Sequence, residues 1–207
     1  IYGAHGETDA DWEASVRAAL ALEPEHVSAY ALVVEPGTRL HARVRAGDVR
    51  APDDDALARR YELADDLFAA AGLPWYEISN WGEPCRHNLG YWRGYDWWGA
   101  GPGAHSHLDG RRWWNLKRPL AWATRVRNGV SPAAGSEDLD AETRRFERVM
   151  LGVRLARGLD PAELDEAGRQ QAEQLRAEGL LAYSGPYLAL TRPGRLLADH
   201  VARRLTP

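Results

Sequence analysis

His26-Val27-Ser28-Ala29-Tyr30-Ala31-Leu32-Val33-Val34 is almost continuously apolar and β-rich, with no breaker inside it. A run of that kind predicts a parallel-sheet strand covered on both faces. Ahead of it, Thr8 followed three residues later by Asp11 resembles a capping box. Trp12, Val16, Ala19, Leu20 and Leu22 then form a helical apolar stripe up to Pro24. Beyond the strand, Pro36-Gly37-Thr38 breaks the chain. Pro52-Asp53-Asp54-Asp55 opens a second helix that carries Leu57, Tyr61, Ala64, Leu67 and Phe68 on one face and stops at Gly72. Trp75–Ser79 reads as the next strand, and Ile1-Tyr2-Gly3 as the end of an earlier one. Strands alternating with helices of this length predict an α/β fold with a parallel sheet, open or barrel-like.

Residues 75–122 hold eight of the nine tryptophans, three of the seven histidines and the single cysteine. Asp109-Gly110 between His107-Leu108 and Arg112-Trp113-Trp114 predicts a hairpin. Residues 119–129 read as a short helix ended by Asn128-Gly129, and Ser131–Ser136 as a linker. From there the pattern is a helix over Glu142–Arg157, then Asp160-Pro161-Ala162-Glu163 as the cap of the next helix. A short hairpin through Ser184-Gly185-Pro186 follows, with a last helix capped by Thr191. Helices, hairpin and closing helix make a winged-helix-like unit. The expected division is 1–130 and 137–207.

A net charge of −4 and 27% charged residues describe ordinary globular material and supply no electrostatic pull toward nucleic acid. Between Glu142 and Arg204, eleven basic residues face nine acidic ones, a solvated helical surface rather than a DNA-reading one. One cysteine forms no internal disulfide and suits a reducing cytoplasm. No apolar run approaches the ~20 residues a membrane span needs.

The chemistry concentrates in Cys85-Arg86-His87-Asn88-Leu89-Gly90-Tyr91-Trp92 and Gly99-Ala100-Gly101-Pro102-Gly103-Ala104-His105-Ser106. Flat aromatic surface, imidazoles and a glycine-rich backbone suit a large planar ligand. His87 reads either as a metal-coordinating imidazole or as a histidine hydrogen-bonded within a Trp-rich core. His105 and His107 share one side of a strand but lack the third ligand of a zinc site. Gly99, Gly101 and Gly103 depart from dinucleotide-loop spacing and permit close backbone approach to protein or ligand. Cys85 has no identified base for nucleophilic chemistry, and nothing in the spacing pairs Glu77 with Asp96.

Those two stretches, with Tyr76-Glu77-Ile78-Ser79-Asn80-Trp81, resemble the HemW-like haem-chaperone branch of the radical S-adenosylmethionine (SAM) proteins. That branch is related to oxygen-independent coproporphyrinogen III oxidase. The resemblance implies the C-terminal part of a partial (βα) radical-SAM barrel followed by a winged-helix-like domain. It implies haem bound by His87, Asn88, Tyr91 and Trp92, with His87 on the iron, and passed to haem-acceptor proteins in the cytoplasm. Gly99, Gly101, Gly103, His105 and Ser106 would line the site, and Ala31 would lie near SAM. The family's CxxxCxxC loop for a [4Fe–4S] cluster and its methionine-binding segment are not in this sequence. The turn also reads Ala4-His5-Gly6 where the family usually has Pro before that glycine. A sequence that begins at Ile1 without Met is expected to be a fragment, inactive in radical chemistry on its own. An oxidase-type radical enzyme is the alternative, and a dimeric full-length form is left open.

Overall fold

The computed structural model describes residues 1–207, which divide into two compact units, Ile1–Cys85 and Arg86–Pro207. In the first unit, helix α1 spans Asp9–Leu20, strand β1 His26–Ser28, helix α2 Arg39–Ala46 and helix α3 Asp54–Ala70, followed by strands β2 (Trp75–Glu77) and β3 (Asn80–Gly82). The predicted capping box closes α1: Thr8 Oγ1 accepts the Asp11 N–H at 3.2 Å, and the Asp11 carboxylate accepts the Thr8 N–H at 2.9 Å. Asp53 and Thr38 cap α3 and α2 in the same way.

The core of this unit is Tyr2, Trp12, Val16, Ala29, Tyr61, Ala64, Phe68, Leu73 and Trp81. Trp81 is fully buried, and its indole N–H donates to Asp65 at 2.8 Å; the Trp12 indole donates to the Arg60 carbonyl at 2.9 Å. Large aromatics thus enter the core without stranding their one polar atom.

The parallel sheet predicted from the sequence is corrected. The sheet order is β1-β3-β2, and both pairings are antiparallel. Parallel pairing is confined to the bridge between Tyr2 and Ala31, where the Tyr2 N–H donates to the Tyr30 carbonyl at 2.9 Å. The reason lies at Ile78-Ser79, which turns the predicted Trp75–Ser79 strand back on itself. The Glu77 carboxylate, buried there, accepts the Ser79 N–H at 3.2 Å and hydrogen-bonds Asn80, which in turn holds Ser28. Gly82 at φ 92° completes the turn-back, since a Cβ there would stand 2.2 Å from the Glu25 carbonyl oxygen. The run after Ser28 is not covered on both faces either: Ala29 is buried while Tyr30 and Val33 are exposed.

In the second unit, helix α4 (Arg86–Trp92) precedes an antiparallel meander of β4 (His105–Leu108), β5 (Arg111–Asn115) and β6 (Ala133–Asp138), with helix α5 (Pro119–Arg127) between the last two. Asp109 and Gly110, at φ 48° and 79°, form the predicted hairpin turn. The linker expected at Ser131–Ser136 is instead largely β6. It pairs along β5, and Gly135 lies where any Cβ would meet the Trp114 indole at 2.5 Å. Small residues there admit an indole rather than loosen the chain.

Next come helix α6 (Ala141–Gly152), a 3₁₀ turn (Pro161–Glu163), helix α7 (Glu166–Ala177), the hairpin β7 (Leu181–Ser184)–β8 (Tyr187–Leu190), and helices α8 (Arg192–Leu196) and α9 (Ala198–Leu205). The order is winged-helix-like, with Leu159 bridging to Leu188 beside the hairpin. Three boundaries differ from expectation. Helix α6 stops at Gly152 rather than Arg157. Asp160 caps only the 3₁₀ turn, while Asp165 caps α7. The final helix breaks at Leu197. Val149, Val153, Leu164, Leu175, Leu188, Val201 and Leu205 are buried in this unit.

Candidate functional site

Helix α4 sets the site. His87 and Tyr91 are four residues apart and share a face, their rings meeting edge to face with centroids 4.9 Å apart. Gly94 at φ 64° ends the helix, and its N–H donates to the Tyr91 carbonyl at 3.0 Å. The chain then runs beside β4, where Trp97 and His107 exchange both backbone hydrogen bonds, at 2.8 and 3.0 Å. Trp97 is thereby placed against Tyr91 (5.0 Å) and against His107 (5.0 Å). Four rings follow one another: His87, Tyr91, Trp97, His107.

His87 and Tyr91 are exposed, and Asn88 and Trp92 are half-buried. The His87 imidazole is therefore open to a ligand rather than sealed in a core, and an edge-on phenol fixes its neighbourhood. Trp92 lines a cavity of about 480 Å³.

The glycine-rich loop serves the protein's own backbone. Gly99 approaches His105 so closely that a Cβ would lie 2.1 Å from the His105 carbonyl oxygen. Ser106 is buried, and its hydroxyl accepts the Gly99 N–H at 2.9 Å. The Asn115 amide donates to the Gly101 carbonyl at 2.9 Å, and the Gly103 N–H to the Leu116 carbonyl at 2.9 Å. Ser106 thus anchors the loop, while His105 lies exposed and stacked on Trp114 with centroids 5.9 Å apart.

The two hairpin histidines, indistinguishable in sequence, are separated by their surroundings. His107 donates from Nδ1 to the Tyr95 carbonyl at 3.2 Å, with Asp96 Oδ1 3.7 Å away. A ring nitrogen facing a carbonyl oxygen can only donate, so Nδ1 carries a proton. The His-x-His spacing flagged this residue, but only the folded chain brings the Tyr95 carbonyl to its Nδ1.

The other candidates lie in the first unit. Ala31 is half-buried at the parallel bridge with Tyr2. Cys85 is an exposed free thiol. Burial pushes the Tyr2 hydroxyl up to about 12. No helix is long and apolar enough to cross a membrane.

Residues 139–197 match the HemN C-terminal domain family. The whole chain superposes on coproporphyrinogen III oxidase (HemN) from Escherichia coli, a radical SAM enzyme, with a TM-score of 0.76 at 14% identity, covering 100% of this chain and 53% of that one. The chain shares the fold of that enzyme. In sequence it is similar to haem chaperones named HemW. It is 54% identical to the haem chaperone HemW of Mycobacterium tuberculosis over 99% of this chain, and 30% identical to that of Bacillus subtilis over 97%. The Escherichia coli HemW is 33% identical over 94%. The chain spans about half the length of these curated relatives: 53%, 56% and 54% respectively.

The [4Fe–4S] cluster of a radical SAM protein needs several thiolates and this sequence has one cysteine, so these residues do not fit it. An exposed imidazole with a phenol edge-on to it is chemistry that would suit haem as cargo.

Proposed function

We propose that this chain supplies the haem-binding part of a HemW-like haem chaperone. His87 coordinates the iron through a neutral imidazole, Asn88 lies beside it on α4, and Tyr91 and Trp92 pack on the porphyrin. The observation that carries this is the exposure of His87 on α4 with its ring held edge-on by Tyr91 at 4.9 Å. An imidazole on an open helix face reaches a macrocycle without any core opening. The same openness lets an incoming ligand from an acceptor protein displace it, as transfer requires. Gly99, Gly101, Gly103, His105 and Ser106 act as the rigid wall behind the site.

In the same reading, residues 1–130 are barrel-derived and 137–207 form the winged-helix-like domain, a division supported by the family match over 139–197. Ala31 lies near SAM in the full-length protein, and the protein works in the cytoplasm. Haem titrated into the full-length protein and its His87→Ala variant tests the assignment. A Soret maximum and affinity altered by the substitution are expected; identical spectra and affinities reject it. Anaerobic turnover of coproporphyrinogen III by the reconstituted full-length protein would favour an oxidase instead.

A further inference from the structure

The cavity of about 480 Å³ in the second unit has a size typical of small-molecule sites, and neither His87 nor Tyr91 lines it. Leu139, Leu151, Leu155, Leu159 and Trp92 supply apolar lining. Most acidic groups around it are already committed. Glu163 pairs with Arg148 at 2.9 Å and Glu147 with Arg112 at 2.7 Å. Asp160 accepts the Ala162 N–H at 2.9 Å, and Asp96 the Asp109 N–H at 2.8 Å. Asp109 alone is uncommitted.

Three guanidinium groups of the lining have no carboxylate partner. Arg93 reaches only the Tyr95 hydroxyl, at 3.4 Å. Arg157 lies 4.7 Å over the Tyr187 ring and donates to its hydroxyl at 2.7 Å. Arg144 lies against Gly110, and the acid that feels its charge, Asp140, is occupied as the N-cap of α6. Guanidinium forks that bind carboxylates bidentately, set beside leucines and an indole, suit a ligand with a planar apolar body and an acidic edge.

We propose that this cavity binds the carboxylate-bearing edge of a tetrapyrrole, with Arg144 and Arg157 contacting its carboxylates. The tetrapyrrole identity rests on the haem-binding reading of His87; the arginine pair does not. Trp92 lines the cavity and also closes the His87 helix, so the cavity adjoins the element that carries the imidazole.

The test uses the full-length protein and two metal-free probes, protoporphyrin IX and its dimethyl ester, read by porphyrin fluorescence. Esterification removes the acidic edge and leaves the ring intact. Wild type should bind the free acid at least about tenfold tighter than the ester, as expected for charge-assisted pairs. Arg144→Gln with Arg157→Gln should reduce that preference to within about twofold. The corresponding double Lys variant, which keeps the charge, should recover part of it. Both arginines are exposed, so the variants should fold, and circular dichroism checks this. No preference for the acid in wild type, or an undiminished one in the Gln variant, overturns the proposal. His87→Ala is read separately on haem by its Soret band. An unchanged Soret band in His87→Ala with the acid preference lost in the Gln variant rejects the axial ligand alone; the reverse pattern rejects the cavity alone.

Discussion

Gly135→Ala adds one methyl group to β6 and tests whether this segment is sheet or linker. Removing a strand glycine ordinarily stabilises by roughly 0.5–1 kcal/mol, because Gly loses more conformational freedom on folding. In an unpaired linker that gain, or no change, is the expected result. Here the added Cβ would lie 2.5 Å from Trp114 Cζ2 and 2.9 Å from Cε2, against an optimal carbon separation of about 3.5–4.0 Å. The indole must move by about an ångström, yet it is stacked on His105 and its residue is paired in β5 with Gly135 itself. Overpacking of this kind costs about 1–3 kcal/mol, so the net effect is a loss of about 1–2 kcal/mol. Urea unfolding measures it, and a double-mutant cycle with Trp114→Ala isolates the clash. The cycle should show that Gly135→Ala costs little or nothing once the indole is gone. A Gly135→Ala variant at least as stable as wild type refutes the packing argument and returns Ser131–Ser136 to a linker.

Trp81→Ala should destabilise by about 3–5 kcal/mol in urea unfolding, because the side chain is fully buried and its loss also strips Asp65 of a donor. The Thr8 hydroxyl and N–H donating to Asp11, and helix N-terminal N–H groups donating to Asp140 and Asp165, hold these carboxyls below the usual range. Their folded pKa values are depressed, so the stability they contribute is present above the ordinary carboxylate pKa. It is lost as pH falls through the lowered values, and the triple Asn variant should show a flatter acid limb in unfolding followed by circular dichroism. Tyr2 has the opposite sign. Burial raises its pKa to about 12, so its contribution is complete below ~10 and fades between ~10 and 12. Spectrophotometric titration should show equal absorbance changes near pH 10 in wild type and Tyr2→Phe, because Tyr2 contributes nothing there. If Tyr2 titrates near 10, its burial is misjudged.

Features legible along the chain were those whose cause is local. Thr8 with Asp11 names a capping box because both groups lie within one turn. Asp109-Gly110 names a tight hairpin because the pair tolerates two left-handed residues. The heptad-like stripes of α1 and α3 follow from helical period. The site was legible only in part. The stretch from Cys85 to Trp92 stood out by composition, but the helix α4 that puts His87 beside Tyr91 was not read from it. Nothing in the spacing distinguished His105 from His107, since one ring stacks on Trp114 and the other on Trp97, and both partners come from other segments.

Helix starts, the hairpin turn and the concentration of aromatic and imidazole chemistry belong to the amino-acid order, because short-range hydrogen bonding and backbone sterics set them. The antiparallel insertion of β3, the capture of Ala133–Asp138 as β6, the stop of α6 at Gly152 and the ring row from His87 to His107 belong to the folded molecule. Each depends on which distant surface offers a partner for a buried polar group or room for an indole, and a linear pattern of residue types carries no record of that neighbour.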